Sequence, residues 1–105
     1  MNDEPIFEVF TPLEFHVRTT SSYWELIVNV KHPAMYGHER DVEEVLRYLD
    51  EIRQSRSDPH VYLFYRLERP DRWICIVVKQ LDNDGLIITT YPTDTIKEGQ
   101  RVWTR

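Results

Sequence analysis

Residues 60–92, HVYLFYRLERPDRWICIVVKQLDNDGLIITTYP, decide the fold. Three runs rich in β-branched and aromatic residues are punctuated by RPD and DNDG, both turn chemistry. HVYLFYRLE alternates, RWICIVVKQL is nearly all apolar with a basic end, and GLIITTY passes from apolar to polar. The Asp84–Gly85 pair suits a tight hairpin. This spacing predicts an antiparallel meander, to which QRVWTR, residues 100–105, adds a fourth, short strand.

Upstream the period changes. In ERDVEEVLRYLDEIRQS, residues 39–55, the apolar positions Val42, Val45, Leu46, Leu49 and Ile52 form one stripe on a helix, with acids near its start. SSYWELIVNVKHP, residues 21–33, reads as a shorter helix. Ser22 and Glu25 have capping-box spacing, and Pro33 turns His32 out of helical geometry, so the helix should stop near Lys31. FEVFTPLEFHVRTT, residues 7–20, is a strand broken at Pro12, with Phe15, Val17 and Thr19 alternating against His16, Arg18 and Thr20. The expectation is an α+β fold in which an N-terminal strand and two helices pack on one face of a four-stranded antiparallel meander.

The bulk numbers bound this reading. A chain of 105 residues, 41% hydrophobic, fits a single domain with one core. No apolar run approaches the ~18 residues of a membrane span, and the acidic start MNDEPIFEVF lacks the features of a secretory signal. The single Cys75 excludes an internal disulfide framework and a cysteine-based zinc site. A cytoplasmic protein is expected. The net charge of −5 is unevenly spread: residues 1–52 carry 4 Lys/Arg against 11 Asp/Glu, residues 53–105 carry 9 against 7. A duplex-DNA binder draws its affinity from many phosphate contacts and would be basic overall. A grip on one or two phosphates, in the second half, stays open.

His16, His32, His38 and His60 have no zinc-ligand spacing, and no phosphate-binding glycine loop or G-x-S-x-G elbow occurs. No metal or other cofactor is expected. Four places carry candidate chemistry. In KHP, His32 ends a short helix and can serve as acid or base, or simply cap the last carbonyls. In EIRQSRSD, Arg53, Ser55 and Arg56 at a helix exit could hold a phosphate, or complement the helix dipole. In YLFYRLERP, Tyr65 and Arg66 offer a ring and a cation, with cross-strand packing as the plain alternative. In ITTYPTD, Thr90 and Tyr91 end a strand whose two faces, Leu86–Ile88–Thr90 and Ile87–Thr89–Tyr91, turn polar at the same end before Pro92 closes it; the plain alternative is a turn capped by Asp94 and Thr95. A cation, a general acid/base, a tyrosine and a threonine without a metal suit RNA cleavage, in which the ribose 2′-hydroxyl attacks the adjacent phosphate.

The phrases VKHP, DEIRQSRSDPHVYLFYR, WICIVVK and TTYPTDTIKEG resemble an uncharacterised prokaryotic, phage-associated family related to the barnase/EndoU/colicin/RelE-type nuclease superfamily. The resemblance covers residues 15–103. It implies two helices followed by a four-stranded antiparallel sheet, and recurring polar positions at His32, Arg53, Ser55, Tyr65, Arg66, Thr90 and Tyr91. On this reading the protein is a metal-independent endoribonuclease acting on messenger or transfer RNA, possible partner of an antitoxin or immunity protein. His32, Arg53, Tyr65 and Thr90 would be catalytic; Ser55, Arg66, Tyr91 and the strand cation Lys79 would bind substrate. The alternative is a non-catalytic module that engages a basic protein through the acids of its second helix, Asp41, Glu43, Glu44, Asp50 and Glu51.

Overall fold

The computed structural model describes residues 4–96 and 99–105; part of the acidic start and of the quoted phrase TIKEG lie outside the described residues. In place of a four-stranded meander it shows a seven-stranded mixed sheet with two short α-helices. The strands are β1 (Pro5–Phe10), β2 (His16–Thr20), β3 (Glu51–Gln54), β4 (Val61–Arg69), β5 (Arg72–Leu81), β6 (Asp84–Thr93) and β7 (Gln100–Thr104). Their order across the sheet is β1-β2-β6-β5-β4-β3-β7. β2 runs parallel to β6, and the other neighbours are antiparallel.

The expected meander is the centre of this sheet. Two-residue turns join its strands, with Asp71 at φ 62° and Asp82 at φ 56° supplying the left-handed residue each needs. The Asp84–Gly85 pair is not the turn: Asp84 already pairs with Leu81, across Asp82–Asn83. Nor does Pro92 close the strand, which runs on to Thr93.

Two corrections enlarge the sheet. The N-terminal run is two strands, β1 and β2, folded into a hairpin around Pro12. The second helix, α2 (Glu39–Arg47), stops at Tyr48, whose φ of −133° is not helical. The residues expected to continue it form β3, held between β4 and β7. The stripe was real, because Leu49 and Ile52 are both buried. A turn residue and one inward strand position satisfy the same spacing as a helical face, so apolar spacing alone could not separate the two.

The first helix, α1 (Ser21–Leu26), is capped by Thr20, whose hydroxyl accepts from the Tyr23 amide at 3.3 Å; Ser22 lies inside the helix. It continues as a wide π-turn over Ile27–Lys31, and His32 N–H donates to Ile27 O at 2.7 Å. His32 itself is extended at φ −142°, ψ 79°, as Pro33 requires. The helices and β1 share the main core with Ile52, Phe64, Ile76, Val78 and Ile87. On the opposite face Leu63, Tyr65 and Cys75 form a smaller cluster with Trp73, Val77, Tyr91 and Ile96.

Candidate functional site

Strand pairing assigns each polar candidate to a face. Tyr65, Cys75 and Tyr91 form one row across β4, β5 and β6, and Leu63, Val77 and Thr89 form the next, with Arg53 opposite Leu63 on β3. These side chains share the second face. Arg66 sits opposite Ile74 and Thr90 opposite Ile76, both residues of the main core. Arg66 and Thr90 therefore point to the other side of the sheet.

A bulge in β6 causes part of this. Val78 pairs with Ile87 and Val77 with Thr89, which leaves Ile88 without an opposite residue. The extra residue flips the alternation, so Ile87 faces the main core while Thr89 and Tyr91 face the second side. A straight strand would have put Ile87, Thr89 and Tyr91 together. Thr90 is 0% exposed and its hydroxyl donates to Cys75 O at 2.9 Å, so its bonding is internal. Thr89 is the contrary case: its buried Oγ1 has no hydrogen-bond partner among the described residues. The sequence held both threonines side by side, and only the bulge selects Thr89.

His32 reaches this strand from the helical side. Its ring lies 5.3 Å from that of Tyr91, tilted by 34°. Neighbouring Lys31 donates to Ile88 O at 3.0 Å, at the bulge, and to the Tyr23 hydroxyl at 3.5 Å. The π-turn thus places two consecutive side chains along the edge of β6 that β2 leaves uncovered beyond Leu86. Insertions of this kind recur at functional sites because they rotate the residues that follow. His32 and Tyr91 are sequence candidates that the fold brings together, and Thr89, which the sequence did not single out, lies two residues before Tyr91 on the same face.

The other candidates lie elsewhere. Tyr65 shares the Tyr91 row but is 2% exposed, with Trp73 edge-on against its ring and Ile96 packed on its cluster. Arg53 pairs with Glu51 and donates to Gly99 O at 3.2 Å. It stands three strand spacings, about 14 Å, from Thr89. Ser55 is in contact with Ser57 at 3.1 Å beyond the end of β3, at no helix exit. Arg66 lies 5.7 Å from the Tyr48 ring and 4.0 Å from Glu44, in a shallow pocket also lined by Asp41 and Glu68. Those acids make it a poor phosphate site.

Lys79 donates to Asp58 at 2.7 Å and lines a cleft of about 510 Å³ between β2 and β6, with Arg18, Thr19, Tyr23, Leu86 and Ile88. The Lys79 ammonium and the His60 amide hold the Asp58 carboxyl below its ordinary range. Among the described residues no group of three or more His, Cys, Asp or Glu side chains gathers as a metal site would require, and no helix is long and apolar enough to cross a membrane. Compared with known proteins, the chain matches no family model, no curated relative and no solved structure.

Proposed function

We propose that the protein is a metal-independent endoribonuclease of the cytoplasm, with its reaction centre at the C-terminal end of β6. The observation that carries this reading is the approach of the His32 ring to Tyr91, with the unpartnered Thr89 hydroxyl two residues before Tyr91 on the same strand face. The resemblance to the nuclease superfamily supports it by analogy.

In the reaction the ribose 2′-oxygen bonds to the adjacent phosphorus while the bond from phosphorus to the 5′-oxygen breaks. His32 takes the 2′-hydroxyl proton, and solvent water protonates the leaving 5′-oxygen. The Thr89 hydroxyl is buried, so it acts only once bound RNA uncovers it; with no internal bond to give up, it then donates to the phosphate oxygens as their charge grows. Tyr91 holds the His32 ring by face contact and offers a surface for a base to stack on. Arg53 is too far away to share that phosphate and serves one further along the backbone. Arg66 and Thr90 take no part.

The test is incubation of purified protein with total RNA in EDTA. Discrete fragments are expected. His32→Ala should slow cleavage by about 10²- to 10⁴-fold, the usual range for a lost general acid or base. Thr89→Val should slow it as well, while Arg66→Ala stays near the parent rate. RNA left intact by folded protein at high concentration removes the proposal.

The alternative, a module that binds a basic protein through α2, has less support. Asp50 and Glu51 lie beyond the helix. Glu43 is engaged by Arg40 and Arg47, each at 2.9 Å, and Asp41 by His38 at 2.7 Å, so these acids are answered locally.

A further inference from the structure

β2 is held to β6 only as far as the Arg18–Leu86 pair. Thr19 and Thr20 continue the strand with no partner on β6, whose own course is broken by the bulge at Ile88. The gap between them is the cleft of about 510 Å³, a volume within the range of small-ligand sites. Leu81, Leu86, Ile88 and the ring of Tyr23 give it apolar walls, and Leu81 is 49% exposed. Walls that water can reach favour the transfer of an apolar body onto them.

Charge decides which body. Among the described residues no Asp or Glu lines the cleft. The two cations of its lining are already answered, Arg18 by Asp84 at 3.5 Å and Lys79 by Asp58 at 2.7 Å. Lys31, at the rim, is not. Its exposed ammonium reaches two lining residues, donating to Ile88 O at 3.0 Å and to the Tyr23 hydroxyl at 3.5 Å, and it lies 5.4 Å from the centre of the Tyr23 ring. These partners are neutral, and among the described residues no carboxylate approaches Lys31. An ammonium has three donors, so one is left to give. An unneutralised cation at the lip of an apolar cleft matches a molecule with one anionic end and an apolar body. A cationic guest would be repelled by Lys31, and an uncharged one would leave its charge unanswered.

We propose that this cleft binds a small aliphatic monocarboxylic acid, with its carboxylate on Lys31 and its chain against Leu81, Leu86, Ile88 and Tyr23. The carboxylate takes a charge-assisted hydrogen bond from Nζ, the stronger kind. The site uses no buried polar atom and does not rest on the nuclease reading.

The experiment is calorimetric titration of the full chain with hexanoate and octanoate, beside octanol and octylammonium, which carry the same chain on a neutral and a cationic head. From hexanoate to octanoate each methylene should tighten binding by up to about fourfold, the transfer value of a buried CH₂. Octanoate should bind about tenfold more tightly than octanol or octylammonium, as a hydrogen bond between charged groups provides. Lys31→Met should bring octanoate down to the level of octanol and leave octanol itself unmoved. Should Lys31→Met fail to fold, Leu81→Asp decides: it sets a carboxylate on an exposed part of the wall and should abolish octanoate binding while circular dichroism stays that of the parent. The inference is overturned by absence of saturable octanoate binding, by octanol or octylammonium binding as tightly, by an affinity indifferent to chain length, or by binding unmoved in a folded variant. Capture by anionic phospholipid vesicles without binding of the free acid overturns it as well.

Discussion

Thr89 and Thr90 are adjacent, carry the same side chain and have opposite fates. One hydroxyl is bonded to Cys75 O in the core; the other is buried on the opposite face without a partner among the described residues. Replacing Thr90 by Val removes a buried hydrogen bond and should cost about 1 kcal/mol in urea unfolding, with cleavage unchanged. Replacing Thr89 by Val removes an unsatisfied group, so stability should hold or rise while cleavage falls. Equal stability losses in the two variants would contradict this division. Gly85 is a second residue set by its neighbours. A Cβ there would come within 2.8 Å of both Phe15 Cε1 and Val78 Cγ1, side chains that are themselves buried. Gly85→Ala should therefore destabilise by about 1–3 kcal/mol through overpacking, read from the urea midpoint.

Among the elements, β3 has the least propensity of its own and the most outside help. It is four residues long, lies between β4 and β7, and buries Ile52 completely. Asp50 fixes the corner where α2 gives way to it. Its carboxylate accepts from the Leu67 amide at 2.8 Å and pairs with Arg105 at 2.8 Å, and its carbonyl accepts from the Arg105 amide at 3.0 Å. Asp50→Ala should cost about 1–2 kcal/mol. The loss should be local at first, with hydrogen exchange quickening at the Leu67 amide and along β3 before the central strands respond. Uniform acceleration across the sheet would show that the corner is not an independent unit. The π-turn at Ile27–Lys31 is the other element with a particular task, since it brings Lys31 and His32 to β6.

At the scale of the whole molecule, two ion-paired carboxyls contribute a pH-dependent stability. Hydrogen bonds from Arg47 and Arg40 hold Glu43 below its ordinary 4.5. Those from Lys79 and the His60 amide hold Asp58 below 3.8. Both carboxyls bind protons more weakly folded than unfolded. Their stabilisation is therefore complete above the unfolded values and disappears as pH falls through the lower folded ones. The double variant Glu43→Gln/Asp58→Asn should be less stable than the parent near neutrality, and the gap in urea midpoint should close as pH drops below about 4. Both carboxylates are half-buried at the surface, so the gap should be small and shrink further in concentrated salt. A gap that stays constant with pH would show that these carboxylates contribute nothing through charge.

The central strands were legible in the residues themselves, while the four-stranded meander expected from them was wrong: the sheet has seven strands and is mixed. Alternation and turn chemistry marked β4, β5, β6 and β7; Pro33 marked where the first helical segment ends, although its cap is Thr20 and not the expected Ser22; the apolar stripe found the buried side of α2. These signals are local, carried by side chains a few positions apart. Of the site, the sequence indicated His32 and Tyr91, each flagged by a neighbouring proline. It did not single out Thr89 or Lys31, and it grouped Arg66 and Thr90 with residues on the opposite face. That choice was tertiary, because one extra residue at Ile88 reverses every later side chain of β6, and its cause is the pairing of β6 with β5. The seven-strand order, the parallel β2–β6 contact and the cleft beside it were likewise decided by backbone partners far away in the chain, which no short window of sequence contains.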